Sequence, residues 1–188
     1  MSTIERDVLE VPTGYSSREV ALFLAQMDDQ SQRLRHDLAG ITPAELAWQP
    51  AVGMNTIGML LAHIAIVEVF WTQVGVRGDA AYDTHPALGI GVDDDGMPLP
   101  PDGQPPAVLA DRSLSFYLDL LDRARAYSKG VAAQLADADL DAMHSRTRRD
   151  GRMEEFDVRW VLYHMLEHLA GHYGQVLLLR HQYRSAHK

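Results

Sequence analysis

Two histidines near the C-terminal end of the sequence are spaced as metal ligands on one helix. His168 and His172 are four residues apart, so their side chains project from neighbouring turns of one helical face. Apolar residues around them recur at spacings of three, four and seven, which predicts a helix from about Phe156 to Tyr183 with one buried face. Two imidazoles on such a face chelate one divalent metal when another helix brings a third ligand.

The same pair also has a purely structural interpretation. Nine histidines are spread over the chain, so some pairs fall four apart by chance. The core-facing position of His168 and His172 favours the metal, because a buried imidazole costs free energy unless it is bonded or ligated. His164 lies four residues before His168, but each step of four residues rotates the side-chain direction by about 40° around the helix axis. One metal therefore reaches two of the three easily, and we expect His164 beside the site.

A second helical stretch contains the missing ligand. Asn55 or Thr56 caps a helix that is apolar on nearly every side as far as Val76, and a helix of this kind is buried all round. Its polar residues include His63 and Glu68, the two ligand types that a buried metal uses. We predict that His63 completes the metal site with the pair on the later helix.

The remaining periodicity predicts an all-α fold in a single domain, residues 1–188. Apolar stripes indicate a first helix over residues 16–39 and a third over residues 109–135. Four long helices, with a long crossover over residues 75–107 that has no regular structure, predict a four-helix bundle. The crossover connects helices two and three and is able to cover a cavity.

A short motif follows the first helix. Thr42, Pro43 and Glu45 have the spacing of a capping box with proline at the first helical position, which predicts a short helical turn. Trp48 closes this turn, and we expect it to fill space in the core.

For each of two charged segments, a surface turn is the simplest interpretation. The run Asp93-Asp94-Asp95-Gly96 begins like a calcium loop but lacks the later ligands, so a solvated turn is predicted. Asp150-Gly151 predicts the turn of a short hairpin. The four arginines beside it form either a solvated surface or a site for an anionic substrate tail: Arg146, Arg148, Arg149 and Arg152.

The other histidines are predicted to be exposed: His36, His85, His144, His181 and His187.

Composition restricts the partners and the compartment. The net charge of −9 is unfavourable for nucleic acid, which needs a basic face. The chain has no cysteine, which excludes disulfides, thiolate ligands and a cysteine nucleophile. The N-terminus does not have the pattern of a signal peptide, and no apolar run is judged long enough to span a membrane. We expect a cytoplasmic protein without a membrane partner.

Over nearly its whole length the chain resembles the DinB-like/YfiT family of metalloenzymes. Three motifs carry the resemblance: the loop Thr42–Pro50 after the first helix, the second-helix stretch Asn55–His63 with Glu68 and Trp71, and the fourth-helix signature His168-x-x-x-His172-Tyr-Gly-Gln175. Tyr173 stands where the family commonly has arginine.

The resemblance implies a bundle with a crossover after helix two and a homodimer. It also implies a nickel or zinc ion held by His63, His168 and His172. The family includes thiol-dependent S-transferases, isomerases and hydrolase-like proteins. The apolar second helix is a further reason to expect a dimer.

Three imidazoles leave coordination positions open, which is typical of a catalytic site. Such a site either generates a hydroxide for hydrolysis of a small molecule or binds a low-molecular-weight thiol for an S-transfer reaction. Because the chain has no cysteine, that thiol is a cofactor. Glu68 and Gln175 are candidates for acid–base catalysis or for support of the ligands. The alternative is a non-catalytic, stress-related, dimeric bundle with a structural metal. A pocket that opens onto the histidines distinguishes the two.

Overall fold

Four long helices surround one apolar core in the computed structural model, which describes residues 7–188. The helices are α1 (Arg18–Asp37), α2 (Pro43–Ala47), α3 (Ile57–Trp71), α4 (His85–Leu88), α5 (Leu114–Ala132) and α6 (Val158–Ala186), of which α2 and α4 are short. In the described range the strands form a single hairpin, β1 (Met143–Thr147) and β2 (Met153–Asp157). The predicted all-α fold is confirmed. The prediction about a signal peptide concerns residues 1–7, of which residues 1–6 lie outside the described residues.

Side-chain caps fix where the helices begin. At the start of α1, α2, α3 and α6, a side-chain oxygen accepts a hydrogen bond from a backbone N–H of the first turn that has no partner within the helix. The accepting residues are Ser17, Thr42, Thr56 and Asp157, in that order. The predicted capping box of α2 forms only in part. Thr42 accepts the N–H of Glu45, but the Glu45 side chain turns inward, is buried, and accepts a 3.0 Å hydrogen bond from Arg180 on α6.

Helix α3 lies at the centre of the bundle. Thirteen of its fifteen residues are buried, and it packs against both α5 and α6, while α1 packs against α6. A π-helical turn, Thr72–Val76, continues it. By length and composition Ile57–Val76 is apolar enough to cross a membrane, so our statement that no stretch reaches that length is wrong. However, 89% of its most apolar window is buried inside the bundle, as in the core helix of a soluble protein.

The crossover between α3 and α5 contains more regular structure than predicted. It includes α4 and a 3₁₀ turn, Ala107–Leu109. Leu88 and Ile90 are buried, and the Thr84 hydroxyl donates a 2.8 Å hydrogen bond to the Ile90 carbonyl. These contacts attach the crossover to the core, which the proline and glycine content of the sequence did not indicate.

The predicted hairpin is present, and its arginines are paired. Strands β1 and β2 are antiparallel, with Arg146 opposite Glu154. Each of the four arginines forms an ion pair: Arg146 and Arg148 with Glu154, Arg149 with Asp93, and Arg152 with Asp150. This pairing favours the interpretation of the cluster as surface.

The structure agrees with the exposure predicted for five histidines and the burial predicted for Trp48 except at two positions. Four histidines are exposed as expected: His36, His85, His181 and His187. His144 is instead half-buried, with its ring packed on Gly78. Trp48 is also half-buried and lies edge-on to Tyr183 near the end of α6, so it covers the bundle rather than filling its core.

A buried ion pair connects α3 to α5. Glu68 is 5% exposed, and Arg125 donates to both of its carboxylate oxygens, at 2.6 and 3.1 Å. Ser128 donates to the same carboxylate, and Arg125 also donates to Asp28 on α1 at 2.7 Å. The pair therefore links three helices.

Replacing Arg125 with methionine is expected to lower the free energy of unfolding by about 3–5 kcal/mol, because the Glu68 carboxylate stays buried without a partner. The matched control is Arg33→Met, which removes a solvent-exposed pair with Asp29 and is expected to change the stability little, because water screens the pair. Urea unfolding followed by circular dichroism measures both, and equal losses would contradict the assignment.

Candidate metal centre

Three imidazoles from two helices meet at one point. His63 comes from α3, and His168 and His172 come from successive turns of α6. The Nε2 atom of His168 lies 3.0 Å from Nε2 of His63 and 3.0 Å from Nε2 of His172. One nitrogen from each ring lies within 4.8 Å of the other two. The structure thus brings together the three histidines predicted as metal ligands.

Two polar side chains orient the outer two rings. Asp95 accepts a 2.7 Å hydrogen bond from Nδ1–H of His63, and the Gln175 carbonyl oxygen lies 2.9 Å from Nδ1 of His172. Because a neutral imidazole carries one proton, each of these bonds places the proton on Nδ1. The lone pairs on Nε2 of His63 and of His172 therefore both point toward His168, an arrangement typical of metal-bound histidines.

The prediction of a solvated turn at residues 93–96 is wrong for Asp95. It is 2% exposed, and its second oxygen accepts the N–H of Met97 at 2.9 Å. Its neighbours in the acidic run behave differently: Asp93 is exposed, and Asp94 accepts the N–H of Gly91. The sequence pattern did not separate the three, because only the path of the crossover over α3 decides which carboxylate reaches His63.

A bound cation satisfies the three ring nitrogens, whereas hydrogen bonds among the rings do not. His168 Nε2 carries at most one proton, so it satisfies only one of the two lone pairs that face it. A metal satisfies all three nitrogens together. At a metal–nitrogen distance of about 2.0–2.1 Å, two nitrogens lie about 2.8–3.0 Å apart for a right angle at the metal and about 3.3–3.4 Å apart for a tetrahedral angle. The two separations from His168, each 3.0 Å, are those of neighbouring ligands of one ion.

Burial keeps the α6 histidines in the neutral form that a metal requires. Burial, together with the nearby rings of His172, His63 and His164, lowers the pKa of His168 to about 2. Burial also lowers the pKa of His172, although its hydrogen bond with Gln175 acts in the opposite direction. Protons therefore compete weakly for these two ligands near neutral pH.

A cavity of about 330 Å³ borders the site on the side of His63. The crossover and the loop before α3 form its walls, with Gly53, Asn55, Met97, Pro98 and Leu99 as the other lining residues. Its volume is near the lower end of the range for small-molecule sites, about 300–1,000 Å³. His63 is therefore next to a space large enough for a small ligand.

The other residues singled out in the sequence are distributed around the centre. Gln175 supports His172, and His164 stacks on Trp160 with its ring centre 5.9 Å from that of His168, beside the site as expected. Tyr173 points away and donates a hydrogen bond to Asp37 on α1. Both carboxylate oxygens of Glu68 bond to Arg125 on α5. This geometry gives no support to an acid–base role for Glu68, which stays a prediction.

Replacing Asp95 with asparagine is expected to weaken metal binding by about 10–100-fold, because the negative charge that holds Nδ1–H of His63 is lost. Asparagine keeps a carbonyl oxygen for the N–H of Met97. Asp93→Asn, in the same acidic run but exposed, is the matched control and should leave the affinity unchanged. Competition with a chromophoric chelator measures the dissociation constants, and equal affinities for the two variants would refute the role of Asp95.

The metal-free protein is expected to lose stability as the pH falls below about 6.5, the ordinary histidine pKa of the unfolded chain. The folded pKa of His168 is lower, so in this window the unfolded chain takes up a proton that the folded chain does not. His168→Leu should therefore flatten the dependence between pH 6.5 and 5 by up to about 1.4 kcal/mol per pH unit. Unfolding in urea at several pH values tests this, with His36→Leu at an exposed position as control; equal slopes in both variants would contradict it.

Comparison with known proteins identifies the family of the chain. A search of the curated proteins finds no match to this chain. The DinB superfamily matches residues 26–176, a range that begins in α1 and ends in α6 and includes His63, His168 and His172. The match covers most of the chain and every element that contributes to the centre. The chain belongs to the DinB superfamily.

Proposed function

We propose that this protein is a metal-dependent enzyme that acts on a small molecule, either as a thiol-dependent S-transferase or as a hydrolase. The observation that carries the proposal is the convergence of three Nε2 atoms beside a cavity that His63 itself lines. Three protein ligands are typical of catalytic sites, whereas structural sites are closed by four.

The metal would be held by His63, His168 and His172. When bound there, it supplies Lewis acidity, which makes a thiol or water more acidic near neutral pH. The chain's own residues provide the rest: Asp95 and Gln175 fix the ring orientations, and the cavity positions the ligand. Any thiol comes from outside the chain, since the sequence contains no cysteine. An all-imidazole donor set suits nickel or zinc, the metals that we propose.

The alternative is a non-catalytic, stress-related bundle with a structural metal. Such a protein needs histidines that are closed in by packing. The cavity supports the enzyme, because it gives a second molecule access to His63, one of the three proposed ligands.

We further propose a homodimer in the cytoplasm. The resemblance to dimeric relatives supports the dimer, but α3 no longer does, because its apolar faces are buried within the chain itself. Surface apolar residues are present elsewhere, with Trp160, Tyr163 and Leu178 on α6 between 42% and 56% exposed.

His168→Ala is expected to abolish metal binding while the bundle stays folded, because the apolar core does not depend on the site. Elemental analysis of untagged protein should find about one ion per chain in the wild type and in the exposed control His36→Ala. Chelation should lower the melting temperature of these two proteins and leave that of His168→Ala unchanged.

The same three proteins are then screened for thiol conjugation to electrophiles and for hydrolysis of activated esters and amides. Activity confined to the two metal-binding proteins would support the enzyme and identify its reaction class. Metal retained by His168→Ala would contradict the site. A metal-loaded protein that is inactive with every thiol, electrophile and ester would favour the non-catalytic bundle.

A further inference from the structure

The cavity beside His63 has an apolar wall and one polar corner. The crossover forms the wall with Met97, Pro98 and Leu99, and the loop before α3 forms the opposite side with Gly53 and Asn55. His63 is the one ionisable residue among the six that line it. The walls therefore offer apolar contact and a single carboxamide.

The Asn55 carboxamide is available to a ligand. Thr56 takes the capping position of α3 by accepting the N–H of Met59 at 3.1 Å, so Asn55 is not needed there. Within residues 7–188 the Asn55 side chain forms no hydrogen bond. Since it lines the same cavity as His63, it offers a donor and an acceptor to a molecule that reaches the histidines.

Hydrogen bonds connect the two segments around the cavity, the loop before α3 and the crossover. The Gln49 amide donates to the carbonyls of Met54 and Gly103, at 2.9 and 3.1 Å, and the N–H of Gly53 also donates to Gly103 at 3.1 Å. Gly53 has a φ of +81°, and a Cβ there would lie 2.4 Å from the Pro101 carbonyl oxygen. Close backbone contact thus gives the cavity its shape without a ligand.

None of the six residues that line this cavity is a lysine or an arginine, so an anionic group on a ligand meets no cationic side chain there beside the metal itself. Two arginines of the hairpin segment are already paired, Arg149 with Asp93 and Arg146 with Glu154. The chain as a whole has a net charge of −9. Burying a carboxylate against Met97 and Leu99 without a partner is unfavourable.

We propose, on the basis of the metal-dependent function above, that this cavity selects an uncharged small molecule over an anionic one. The apolar part of the ligand packs on Met97 and Leu99, and a neutral polar group bonds to the Asn55 carboxamide. The atom that reaches the metal enters beside His63. If the ligand is a thiol, it is a thiol without a carboxylate.

The test uses cobalt-substituted protein and two probe thiols of similar size, 3-mercaptopropionamide and 3-mercaptopropionate. Thiol binding is measured by the sulfur-to-cobalt absorption band, and the shift of the Asn55 side-chain amide resonance in zinc-loaded protein is a second readout. The wild type should bind the amide more tightly. Asn55→Ala should weaken amide binding by about three- to tenfold, the effect of one hydrogen bond, and change binding of the carboxylate little.

Leu99→Lys supplies the missing cation and should improve binding of the carboxylate relative to the amide by about two- to fivefold. Comparing this ratio between variant and wild type cancels the difference in acidity of the two thiols. Leu99→Met, which adds no charge, is the matched control.

Failure of the inference and failure of the proposed function give different results. A cobalt spectrum with imidazole ligands, combined with equal binding of the two thiols in the wild type or an unchanged ratio in Leu99→Lys, overturns the selectivity alone. A cobalt site that binds neither thiol overturns the assignment of the cavity. Absence of any cobalt bound to the histidines overturns the proposed function and this inference with it.

Discussion

Three imidazoles from two helices, with Nε2 of His168 lying 3.0 Å from Nε2 of both His63 and His172, are the constraint on which the proposed site depends. Two of the three present lone pairs to the third, and only a cation satisfies all of them. Such an arrangement persists only if the surrounding structure holds it in place. Burial of α3 fixes His63, the four-residue spacing on α6 fixes His168 and His172, and the packing of α3 on α6 brings the two helices together.

The crossover is as important to the site as the helices are. It brings Asp95 to the outer nitrogen of His63 and provides the apolar wall of the adjacent cavity. One segment thus orients a ligand and shapes the space that a substrate would enter. Its attachment to the core through Leu88 and Ile90, and to the loop before α3 through Gly103, explains how a chain rich in proline and glycine positions a carboxylate. The ion pair between Glu68 and Arg125 holds α3 to α5 on another face of the same helix.

The parts of this account that the sequence predicts are those governed by helical periodicity. The apolar stripes gave four long helices with boundaries within a few residues, and the spacing of His168 and His172 showed that both serve one face. The parts that it does not predict depend on contacts between distant residues. Asp95 is 32 residues from His63, and Glu45 is 135 residues from Arg180, so local patterns indicated a solvated turn for the first and a capping box for the second. Glu68 is a similar case: the pattern placed a carboxylate in an apolar helix but did not show that its partner lies on α5.

The measurement that tests the central claim most directly is X-ray absorption spectroscopy of the protein loaded with one equivalent of nickel or zinc. We predict three imidazole nitrogens at about 2.0–2.1 Å from the ion, with the outer-shell scattering of the rings, and at least one further light-atom or sulfur ligand at the open position. Addition of a thiol that binds at this position should introduce a sulfur neighbour at about 2.3 Å. A first shell without imidazole scattering, or with a fourth protein ligand that excludes any added molecule, would contradict an open three-histidine site.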